Sequence, residues 1–287
     1  MNTIQAFIKR HALLTYFTLT FIISWGCILL VLGRTGLWNS AQFEAQVPLA
    51  VLALLAGPSI ASLLLTALIG GRAGLRELGS RLLHWRVGIG WYVFALLVAP
   101  LVVTATLLAL ALISPVFLPA IITASDKGAL LLSGIVAGIA GGFLEELGWT
   151  GFAAPQARGR FSVLASGLLV GVVWGAWHFP PAMWGSGGNA GAVPLLLHLI
   201  VAMFAILLPY RILMVWLYDR TGSLLLAMLM HAALIPSTFY VLQPPATGWA
   251  FLAYYLAVGD ALWGVVGAVA LAHRGHLSRP HLRTQTM

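Results

Sequence analysis

Eight apolar runs, each longer than twenty residues, leave this chain almost no choice of fold. They lie at roughly 12–33, 48–70, 88–113, 128–155, 161–183, 192–213, 222–242 and 247–272. About 20 apolar residues are what an α-helix needs to cross the hydrocarbon core of a bilayer. Inside that core each backbone N–H and C=O must be satisfied within the segment, so continuous apolar runs must be helical. Gly, Pro and polar clusters separate them: Asn39-Ser40, Gly70-Gly71-Arg72, Ser125-Asp126-Lys127, Gly159-Arg160, residues 185–189, and Gln243-Pro244-Pro245. The expected architecture is all-α, a polytopic membrane protein with about eight transmembrane helices in a single integral domain over 1–287. The first run reads as a retained helix, because Trp25 and Gly33-Arg34 replace the Ala-x-Ala-like end of a cleaved signal.

Composition agrees, at 61% hydrophobic and 8% charged residues, where a soluble domain carries about 25% charged residues. The single cysteine, Cys27, excludes a disulfide within the chain and reads as membrane filler. The net charge of +8 raises the question of nucleic acid, and its distribution answers it. Alternating the loops between two sides puts 13 of the 15 Lys and Arg residues, Arg158, Arg211 and Arg220 among them, on one side. The other side receives Arg34 and Lys127. Such asymmetry marks the cytoplasmic side, so both termini are expected there, in the cell membrane. The basic excess then serves topology and contact with anionic headgroups, with no nucleic-acid partner. The Leu-spaced segment Arg72–Arg86 reads as an interfacial helix or as a charged connector. Trp38, Trp85, Trp91, Trp184 and Trp249 sit near span ends, as an aromatic belt does.

Within the spans, polar residues are few. Glu145 and Glu146 are adjacent in the fourth run, in a chain with seven acidic residues. Each intramembrane carboxylate costs roughly 2.5 kcal/mol or more, which marks an ion, proton or catalytic site. Adjacent side chains point about 100° apart on a helix, so at most one looks straight into a narrow cavity. His178 and His231, on the fifth and seventh runs, are the best partners. His231 lies at a depth similar to Glu146, and His178 several ångströms deeper. Carboxylate and imidazole form the usual zinc ligand set. A structural pair of glutamates bonded to a neighbouring helix is the plainer alternative. His198 reads as a packing histidine, since polar side chains also join transmembrane helices. Asp260 is left to pair with a histidine, to be protonated or to face a cavity. Arg211 and Asp219 fall near a span edge. Trp149, Trp174 and Trp177 flank the polar group, with packing as their first role and a substrate groove as the second. Gly134, Gly138, Gly141, Gly142, Gly171 and Gly175 suit close packing, expected to bring the glutamate helix against the His178 helix.

At these residues the chain resembles the CPBP family of CAAX prenyl protease and bacteriocin-processing proteins, also called Abi. The family motifs are Glu-Glu-x-x-x-Arg, aromatic-x-x-x-His and His-x-x-x-Asn/Asp. They read here as Glu145-Glu146 to Thr150, Trp174 to His178, and His231 to Ile235. The resemblance covers about 50–240 and is most specific over 141–231. Thr150 and Ile235 depart from it, standing where the family has Arg and Asn or Asp. The resemblance implies intramembrane peptide hydrolysis of a membrane-associated peptide or protein. Glu145 would act as general base on water. His178 and His231 would hold a divalent metal, zinc first, or polarise the water directly. Glu146 would orient a histidine or complete the metal shell. Two other classes stay open: an inactive relative acting as a membrane immunity or partner-binding protein, and an ion-coupled transporter. Transporters commonly carry internal repeats, and none is seen in this sequence.

Overall fold

The computed structural model describes residues 3–36, 40–180, 182–183 and 190–273. Its helices are α1 (Thr3–Arg10), α2 (Ala12–Gly36), α3 (Ser40–Leu82), α4 (Ile89–Ala111), α5 (Lys127–Gly148), α6 (Val163–Trp177), α7 (Leu195–Phe204), α8 (Leu207–Thr221), α9 (Leu224–Ile235) and α10 (Gly248–Ala272). Among the described residues six stretches are long and apolar enough to cross a membrane: Ala12–Gly33, Pro48–Leu82, Ile89–Ala111, Lys127–Arg158, Leu195–Thr221 and Gly248–Ala272. Two shorter apolar helices, Val163–Trp177 and Leu224–Tyr240, account for the remaining expected runs. The protein is an all-α polytopic membrane protein. Large apolar side chains such as Leu30 and Ile139 stand 86% and 62% exposed on its outside, as a surface solvated by lipid requires. Trp38, Pro181, Trp184, residues 185–189, Arg274, Arg279 and Arg283 lie outside the described residues.

Local signals set the helix ends that matter. Gly71 takes φ 58°, a conformation that favours glycine, and redirects α3 below its span. Residues 72–82 remain helical and dock on the body. Leu78 is buried beside Leu147, Tyr218, Leu224 and Met228, and Arg81 donates to the Tyr218 hydroxyl at 2.9 Å. Gly222, at φ 67°, ends α8 in the left-handed conformation. Ser223 then caps α9, accepting from Leu226 N–H at 3.3 Å. This short connection folds α9 back along α8, and Tyr210 ties the two by donating to Met230 C=O at 2.6 Å. Arg211 and His231 follow Tyr210 and Met230 directly, so that tie fixes their relative height.

The glycines pack helices, but not the pair expected from sequence. A Cβ on Gly138 or Gly142 of α5 would lie 2.5 Å from Ala232 C=O or 2.6 Å from Met228 C=O, both on α9. On α6, a Cβ at Gly167 would meet Ile212 and one at Gly171 would meet Arg211, both on α8. The small faces therefore join the glutamate helix to the His231 helix and the His178 helix to α8. The physical reason is that a small-residue stripe permits close approach without naming a partner. Gly142→Ala should destabilise by about 1–3 kcal/mol, the usual cost of overpacking, read as a lower melting temperature in detergent.

Two charges also sit differently from expectation. Arg211 is fully buried, because the sixth span continues through a break at 205–206 to Thr221. It belongs to the core and leaves the cytoplasmic charge count. Asp260 is exposed midway along α10 and reaches none of the histidines or cavities discussed below.

Candidate active site

Glu145 and Glu146 close the last turn of α5, just before a single π-helical turn over Trp149–Ala153. Such turns frequently occur at functional sites. Glu146 is fully buried, and its carboxylate is saturated. Arg211 grips it with two parallel bonds, Nη1 to Oε2 at 2.7 Å and Nη2 to Oε1 at 2.8 Å. Bidentate pairing of this kind is among the strongest polar contacts in proteins. Thr150, one turn along, donates its hydroxyl to Oε2. His231 Nδ1 completes the set on Oε1 at 2.8 Å. The guanidinium also stacks over the Trp174 ring, 3.9 Å from its centroid, a cation–π contact that replaces lost hydration.

Glu145 is held differently. Its Oε2 accepts from Trp174 Nε1 at 2.7 Å, and no arginine among the described residues pairs with it. His178 Nε2 stands 4.0 Å from Oε2 and His231 Nε2 3.9 Å from Oε1. His178 occupies the C-terminal cap of α6. Its Nδ1 bonds Trp174 C=O at 2.8 Å, and a carbonyl acceptor requires the proton on Nδ1. His231 Nδ1 faces a carboxylate, which fixes the same tautomer. Both rings therefore turn Nε2 toward Glu145. Trp174 keeps them in place by edge-on contacts, 5.3 Å to His178 and 5.4 Å to His231 between centroids. Trp177 anchors the end of α6 by donating to Ser24 Oγ on α2 at 2.9 Å.

The four residues singled out in the sequence thus lie around one point. The expected metal set of Glu146, His178 and His231 does not fit that arrangement. Both oxygens of Glu146 are engaged by Arg211, Thr150 and His231, and a guanidinium beside the carboxylate opposes a second cation. Among the described residues no three His, Cys, Asp or Glu groups stand at metal-ligand spacing. Glu146 instead sits behind His231, its Oε1 2.8 Å from Nδ1, where a buried carboxylate holds an imidazole ring in orientation.

Sequence reasoning missed Arg211 as part of this group, read Trp174 as a flanking residue with packing as its first role, and read Thr150 only as a departure from the family motif. Trp174 carried a signal, its four-residue spacing from His178, which puts both on one helix face. Ile235 is half-buried, with its side chain against Gly141, and brings no donor to the site. Ser237 does not replace it, since its hydroxyl is donated to Ala233 C=O at 2.7 Å.

A family model described as type II CAAX prenyl endopeptidase Rce1-like matches residues 127–235, from the start of α5 to the end of α9. The CAAX prenyl protease 2 of Methanococcus maripaludis is 28% identical over 88 residues, covering 30% of this chain and 32% of that protein. The chain thus spans about a third of the length of that curated relative. The matched segment contains Glu145, Glu146, Trp174, His178, Arg211 and His231, and over it the chain is similar to the type II CAAX prenyl endopeptidases.

Proposed function

We propose that the chain hydrolyses a peptide bond of a membrane-associated peptide or protein, with Glu145 activating the attacking water. The observation that carries this reading is the division of labour between the adjacent carboxylates. Glu146 is neutralised by Arg211, while Glu145 faces two imidazole nitrogens at 3.9 and 4.0 Å. A water making bonds of about 2.8 Å to each side spans such a gap. Glu145 takes the water's proton as its oxygen adds to the carbonyl carbon. His178 and His231, when protonated at Nε2, donate to the oxyanion, with Glu146 supporting the charge on His231. Glu145 then returns the proton to the departing amine. No step passes through a metal. Both termini lie on the cytoplasmic side in this reading, which impermeant labelling of a C-terminal cysteine checks.

The test is purified protein in proteoliposomes with a library of membrane-anchored peptides, read by mass spectrometry. New peptide ends should appear, and a strong chelator should leave their rate of formation unchanged. Loss of turnover on chelation, restored by zinc, would overturn the metal-free mechanism. The apolar Ile235 favours a second reading, an inactive relative that binds membrane peptides. Binding without any product in the same library would establish it.

A further inference from the structure

We propose that the outer face of α10 is a docking surface for a transmembrane helix of another protein, one with a basic residue near its middle, and that Asp260 is the group that captures it. The apolar helix Gly248–Ala272 is long enough to cross a membrane, and Asp260 is its central residue, twelve positions from each end. At 1.5 Å per residue that leaves about 18 Å of helix on either side, farther than an aspartate side chain reaches toward a headgroup layer. The side chain is exposed on the outside of the bundle. Among the described residues nothing forms a hydrogen bond or an ion pair with it. Ionised or protonated, a carboxyl group at this depth lacks the bonds that water gives it, and intramembrane acids are retained where a partner or a function requires them. The helix lies outside residues 127–235, the segment matched by the family model, so nothing in the proposed chemistry accounts for it.

The surroundings of Asp260 suit a helix. Gly264, Gly267 and Ala268 share its exposed side, and a Cβ at Gly264 or Gly267 would meet nothing within 4 Å. Gly259, on the opposite side, is where α10 meets its own bundle: a Cβ there would lie 2.4 Å from Ala205 C=O. Asp260 and Gly264, four residues apart, stand on one face, and small residues let a second backbone approach that face closely. Leu256 and Trp263 border it, 47% and 40% exposed. The small residues permit an approach without naming a partner, and the carboxylate names one by its charge. A second copy of the chain offers no matching cation. Its Lys and Arg residues lie at span ends or in the segments between spans, except Arg211, which is buried against Glu146. Two Asp260 carboxylates brought face to face would repel each other.

The test uses the full-length protein, labelled with a donor fluorophore at its C-terminus, in phosphatidylcholine vesicles. The probe is an acceptor-labelled helix of about 20 leucines and alanines with one lysine at its centre. Energy transfer should show this helix bound about tenfold more tightly than the same helix with leucine in place of the lysine, the size of one interhelical polar contact. Asp260→Leu should erase that difference. Gly264→Leu should weaken binding of the lysine helix by holding the backbones apart. Both variants should keep the wild-type melting temperature, since neither position packs inside the monomer. Binding that ignores both the lysine and Asp260 overturns the proposal. Energy transfer between two labelled copies, lost in Asp260→Leu, assigns the face to self-association and overturns it as well. A melting temperature lowered by Asp260→Leu places the partner of Asp260 within the monomer, with the same consequence.

Discussion

Glu145→Gln is expected to abolish cleavage while leaving the protein folded. The amide cannot take a proton from water, and loss of a general base costs roughly 10²- to 10⁴-fold in rate. Stability should change little, for a reason specific to this carboxylate. The glutamine oxygen can still accept from Trp174 Nε1, the 2.7 Å bond of the wild type, and no cation loses its counter-charge. Turnover and melting temperature must be measured together. Retained turnover in a folded Glu145→Gln protein would sink the assignment of the base. The adjacent Glu146→Gln behaves oppositely, because it leaves the Arg211 guanidinium buried without its bidentate partner.

The contrast between these neighbours also shows what the sequence carries. Eight apolar runs specify the helices because each must satisfy its own backbone in lipid. Glu145, Glu146, His178 and His231 stand out because polar groups are rare in such runs. Arg211 was harder to read. A basic residue near the end of an apolar run looks like a loop charge, and only the continuation of the helix to Thr221 places it in the core. The glycines show a similar limit. Their spacing reveals that α5 and α6 have faces fit for close packing, but α9 and α8 are chosen by complementary surfaces far along the chain. His198 was read as a packing histidine because the cavity it lines with His178, Phe239 and Phe251 forms from segments far apart in the sequence, and the absence of a partner for its Nδ1 among the described residues is a tertiary fact.

Arg211→Leu should be the most damaging single change, since it removes stability and activity together. Breaking a buried ion pair by deleting one partner costs about 3–5 kcal/mol. Glu146 would keep only Thr150 and His231, and the ring of His231 would lose its fixed carboxylate. The Thr150 position offers a rescue. Thr150 is one helical turn from Glu146, already bonds its Oε2, and lies 3.4 Å from Arg211 Nη1. It is also where the family motif has arginine. Thr150→Arg in the Arg211→Leu background should therefore regain part of the melting temperature and of the turnover, since it returns a guanidinium to the same carboxylate. Alone, Thr150→Arg should be destabilising, because two guanidinium groups would compete for Glu146 in a closed core. The double-mutant cycle then gives a strongly favourable coupling, outside the few tenths of a kcal/mol seen for independent sites. Additive losses would show that Arg211 cannot be replaced from α5. Coupling would instead show that this chain keeps the positive charge its glutamate pair requires and supplies it from another helix, so the threonine in its motif would no longer count against activity.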